Sequence, residues 1–89
     1  MKAIIKGKVY DTEQAEEIAE HSGDEGNDED TLYRTLEGDF FVTAWQAFLD
    51  GGRWKSSTRF IPVSERDAMI FCIKAQIPKM FQGYLLESI

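Results

Sequence analysis

Between Asp11 and Asp30 the chain has no Lys and no Arg, while ten of its 16 carboxylates lie there. Elsewhere it carries ten bases against six acids, so the net charge of −6 joins a segment near −10 to a remainder near +4. A one-signed field of that kind repels like charge and attracts basic partners over roughly 10 Å. Cysteine is nearly absent. A single Cys72 excludes an internal disulfide framework and fits a reducing compartment. Its apolar neighbours, Phe71 and Ile73, favour a buried structural thiol over a nucleophile. Long apolar runs are missing too. The longest, Ala68 to Ile73, falls far short of the ~20 residues that cross a bilayer, and Met1–Lys6 is too weakly apolar for a signal peptide. Glycine-rich phosphate loops, HExxH, CxxC pairs and nucleophile elbows do not occur, so the expectation is a protein that is not an enzyme and has no cofactor.

What is present is enough for one small domain, residues 1–89. Its 43% hydrophobic and 12% aromatic content is that of a folded chain. At this length only about 60–65% of the unfolded surface can be buried, which allows one modest core. Ala3–Ile5 and Lys8–Tyr10 flank Lys6-Gly7 as a tight hairpin. Asp11 followed by Gln14 has capping-box spacing, and Ala15, Ile18 and Ala19 make an apolar stripe, predicting a helix from residue 12 to about His21. Gly23 to Asp30 is too polar for a core and reads as an acidic loop. Thr31–Leu36 and Phe40–Trp45 form a hairpin through Glu37-Gly38-Asp39, and a further strand covers Ser57–Pro62 after the Asp50-Gly51-Gly52 turn. Ser64 with Asp67 starts a second helix on which Ala68, Met69, Phe71, Cys72 and Ala75 recur, and Pro78 ends it. The tail from Met80 to Ile89 is apolar enough to pack on the body. The expected fold is α+β: an antiparallel sheet of three to five strands covered by two helices.

On a helix, Glu13, Glu16, Glu17 and Glu20 would share one face at about 3 Å per charge along the axis, close to the phosphate spacing of a nucleic-acid strand. With Asp24, Glu25, Asp28, Glu29 and Asp30 in the adjoining loop, they are the candidate partner-binding residues. The alternative is an ordinary solvated face kept acidic for solubility. The loop lacks calcium-loop register, with Gly26 third and Glu29 sixth, so no metal is expected. His21 has no second His or Cys for zinc and reads as a histidine at a helix C-terminus. Arg53, Trp54, Lys55 and Arg59 are a weak nucleic-acid signal in an acidic protein; an ion network or a snorkelling edge strand accounts for them.

Three blocks carry a resemblance. Lys8–Ala19 is similar to a KxYDTExAExIA opening, Thr31–Phe41 to a TLYRTxxGxFF hairpin, and Ile61–Ala68 to an IPLTxxEA block, in the same order. The pattern resembles small proteins of bacteriophages and other mobile elements, a group similar to type I anti-CRISPR proteins. The Gly23–Asp30 stretch is more acidic than that pattern, and Ala44–Leu49 more apolar than its Gly-rich continuation. The resemblance implies an acidic inhibitor in the bacterial cytoplasm. It would bind the basic nucleic-acid channel of a type I CRISPR surveillance complex and block target DNA, with no direct nucleic-acid or membrane contact. The competing expectation is a protein-interaction module of a mobile element, monomer or homodimer, using Phe41, Trp45, Phe48, Leu49 and Trp54.

Overall fold

A computed structural model describes residues 1–22 and 28–76, all but the side chain of Gln76. Two antiparallel sheets and one helix make up these residues. Strands β1 (Lys2–Ile5) and β2 (Lys8–Asp11) form the small sheet. Strands β3 (Glu16–Ser22), β4 (Asp28–Arg34), β5 (Phe40–Asp50) and β6 (Arg53–Val63) follow one another as a four-stranded meander. Helix α1 (Glu65–Gln76) closes the described chain.

Turn chemistry sets the pairing. Lys6 and Gly7 have φ of 51° and 81°, the two successive left-handed residues that a two-residue hairpin with strand-matched twist requires. Gly51 and Gly52, at φ 60° and 82°, do the same between the paired Asp50 and Arg53. The helix begins where expected. The Ser64 Oγ accepts a hydrogen bond from the Asp67 N–H at 3.1 Å, with Glu65 and Asp67 in the positive first turn and Lys74 in the last.

Each face of the large sheet is buried differently. On one, Leu32 (0% exposed), Val42 and Ala68 of α1 form the core, bordered by Ala19, Phe40, Val63, Phe71 and Cys72. On the other, Phe41 (0% exposed) stacks between Tyr33 at 5.1 Å and Phe60 at 5.8 Å, and Tyr10 of β2 meets its ring edge-on at 5.3 Å. The small sheet therefore covers the Phe41 end of the second face. Lys8 ties it down by an ion pair to Asp39 at 3.2 Å, in the β4–β5 turn. That carboxylate, by hydrogen bond and charge, holds the Lys8 ammonium above its ordinary pKa.

The α+β expectation with two helices is overturned: the described residues are mainly β with one short helix. Residues 16–21, expected to be helical, lie in strand β3. The capping signal is real but closes only a turn. The Asp11 side chain accepts from the Glu13 N–H at 3.0 Å, and the Asp11 carbonyl accepts from the N–H groups of Gln14 and Ala15. A β-bulge then leaves Ile18 unpaired between Glu17 and Ala19. One inserted residue turns a period of two into apparent three- and four-residue spacings, and that imitates an amphipathic helix. Pairing with β4 overrides the modest helix propensity of the Glu and Ala residues. His21 accordingly lies in a strand, across from Asp30, and not at a helix end. Asp28, Glu29 and Asp30, expected in an acidic loop, open β4 instead, while 23–27 lie outside the described residues. Pro78 and the tail from Met80 to Ile89 also lie outside them. The central hairpin, the Asp50–Gly52 turn and the second helix are present, but β4 ends at Arg34 rather than Leu36, β5 runs to Asp50 rather than Trp45, and β6 covers Arg53–Val63 rather than Ser57–Pro62.

Candidate protein-binding face

Period-two alternation and the register decide where each acidic side chain points. Glu16 pairs with Arg34 on the helix-covered face, and its carboxylate takes the Arg34 guanidinium at 2.9 Å. Asp28 and Asp30 share that face by alternation, Asp30 half-buried opposite Ala44. Glu13 sits in the 12–14 turn, with the N-terminal ammonium 3.8 Å away. Glu17, Glu20 and Glu29 point to the other face, opposite Tyr33, Thr31 and Trp45 respectively. The single face expected for Glu13, Glu16, Glu17 and Glu20 therefore does not exist. Asp24 and Glu25 lie outside the described residues.

The Tyr33 phenol senses the surviving group. Burial pushes its pKa up first; the charge of Glu17 adds to this, and Glu20 and Glu29 add less, while a Thr43 hydrogen bond opposes them. Glu17 lies directly across from Tyr33, Glu20 across from Thr31, and Glu29 further along β4, so three carboxylates from two neighbouring strands share one face of the sheet. None of the three forms an ion pair among the described residues. No three His, Cys, Asp or Glu side chains among those residues are placed to hold a metal ion.

The same face continues onto an arm. Beyond the Asp28–Gln46 pair, β5 and β6 run on alone, four further residues each to the Asp50–Arg53 pair and about 13 Å in length. Leu49 and Trp54 lie opposite each other on this side of the arm, with Trp45 on the same face just before its base. Trp45, Leu49 and Trp54 are 37%, 61% and 64% exposed. Phe48, Arg53, Lys55 and Arg59 occupy the reverse side, where Lys55 pairs with Asp50 at 2.8 Å. The basic-aromatic cluster is thus divided, its bases on one side and Trp54 on the other. Phe41 drops out of the aromatic surface because it is fully buried.

Sequence reasoning missed Tyr33 and the Glu29–Trp45 juxtaposition. Alternation from Asp28 to Arg34 carried the signal, obscured by assigning Asp28–Asp30 to a loop. No protein-family model matches the chain, and neither a curated protein nor a solved structure matches it. No helix among the described residues is long and apolar enough to cross a membrane.

Proposed function

We propose that the protein is a non-catalytic inhibitor that lays its anionic sheet face on the basic nucleic-acid channel of a host complex. The resemblance of its three sequence blocks points to a type I CRISPR surveillance complex as that host. The observation that carries the reading is that Glu17, Glu20 and Glu29 share the sheet face opposite α1, none of them ion-paired among the described residues. Channels that grip phosphate are lined with Lys and Arg, so carboxylates at sheet spacing can replace phosphate and steer fast association. The test is displacement of labelled target DNA from a type I surveillance complex. The wild type should exclude the DNA, and E17Q/E20Q/E29Q should need at least about tenfold more protein, or about 1.4 kcal/mol. Equal potency of the two proteins sinks the reading.

A second reading, an interaction or homodimeric module of a mobile element, is favoured by the exposure of Leu49 and Trp54. Light scattering separates the two. A salt-insensitive dimer supports the module, and a monomer whose partner binding weakens steeply with salt supports the inhibitor.

A further inference from the structure

The exposed aromatics and the carboxylates, which as sequence features belong to rival functions, occupy one continuous surface. Trp45 on β5 is the register partner of Glu29 on β4, and Ser22 of β3 lies across from Glu29 on its far side. Neighbouring strands are about 4.8 Å apart, so the acidic corner and the apolar arm are adjacent. The other side of this sheet shows what such a surface accepts: α1 covers it, with Ala68, Phe71 and Cys72 on Leu32 and Val42. Sheet faces in small domains are covered by helices or by other sheets, whereas a single extended peptide satisfies an edge.

We propose that the part of this face away from the small sheet, Trp45, Leu49 and Trp54 flanked by Glu17, Glu20 and Glu29, docks a basic amphipathic helix of the partner protein. The apolar stripe of that helix lies along the arm, and its Lys and Arg residues turn toward the acidic corner. This rests on the inhibitor reading and deepens it: charge brings the partner in, and the arm selects which basic segment stays. A helix about 10–12 Å across, seated on a four-stranded sheet about 15 Å wide, reaches both halves at once. Indole rings lose little conformational freedom on contact, which suits them to anchor such a helix.

Two synthetic helical peptides of about 18 residues serve as probes. Both carry the same Lys positions; one has Leu and the other Ala along the adjoining stripe. Binding is followed by Trp fluorescence and checked by calorimetry. The wild type should bind the Lys/Leu peptide at least about tenfold more tightly than the Lys/Ala peptide. L49T/W54T, at exposed strand positions that tolerate Thr, should bring that ratio below about twofold. E17Q/E20Q/E29Q should weaken both peptides by a similar factor and leave the ratio in place. Equal binding of both peptides by the wild type overturns the proposal. So does an unchanged ratio in L49T/W54T, or a wild-type dimer that L49T/W54T dissolves, since the occupant is then a second copy. Unchanged affinities in the acidic variant, with the ratio intact, sink the anionic-face reading instead and leave the arm's role standing.

Discussion

Phe41→Leu isolates what the second face of the sheet contributes. Phe41 is fully buried and its ring meets three others, Tyr33 and Phe60 in stacked geometry and Tyr10 edge-on, with centroids 5.1 to 5.8 Å away. Leucine keeps most of the apolar burial but forfeits the ring contacts. Each aromatic pair is worth about 0.5–1.5 kcal/mol beyond its area, and the contacts overlap, so the pairs together supply about 1.5–2.5 kcal/mol. The volume lost on shortening the ring adds about 0.5 kcal/mol. The expected cost is therefore about 2–3 kcal/mol, a large part of the roughly 4–13 kcal/mol that a domain of this length holds. Urea unfolding followed by far-ultraviolet circular dichroism should show the midpoint falling by about 1–2 M with an unchanged slope. Phe48→Leu, on the exposed reverse side of the arm, serves as control and should cost less than about 0.5 kcal/mol. A Phe41→Leu cost as small as the control's would refute the claim that this ring joins the two sheets.

Neighbouring glutamates should behave oppositely: E17Q weakens partner binding, whereas E16Q, paired with Arg34 on the helix-covered face, leaves it within about twofold and costs at most about 1 kcal/mol of stability. Equal effects in a binding assay would contradict the strand assignment. K6N should stabilise the first hairpin by several tenths of a kcal/mol in thermal unfolding, because Lys6 holds a left-handed φ that Asn tolerates; no gain would remove that account. The Tyr33 phenol, raised in the folded state, contributes stability that is full below about pH 10 and is lost as pH climbs through its folded value. Ultraviolet titration of E17Q, with Y33F to assign the signal, should show the Tyr33 transition moving down in pH; an unmoved transition refutes the proximity of Glu17.

Much of the fold is legible where local chemistry and burial agree. Lys6-Gly7 and Gly51-Gly52 fix two turns through their backbone freedom, and Ser64 with Asp67 fixes a helix start through a cap. The β4–β5 hairpin shows itself in aromatic and β-branched residues. Residues 12–22 mislead because the cap at Asp11 closes a turn that no helix continues, and because the bulge at Ile18 shifts the alternation by one. The charge of the site is equally plain in the sequence. Its division is not: which of Glu16 and Glu17 faces the partner depends on the register against Arg34 and Tyr33, and so on a strand some 17 residues away. The same holds for Trp45 and Glu29, whose adjacency exists only through the β4–β5 ladder.

The central claim is that Glu17, Glu20 and Glu29, on the sheet face opposite α1, are the working surface. Its most direct test is the affinity of wild type and of E17Q/E20Q/E29Q for an isolated type I surveillance complex, measured across a salt series. The account predicts at least about tenfold weaker binding by the variant at low salt, converging with the wild type as salt rises. Two coincident curves, equally tight at every salt concentration, would contradict it.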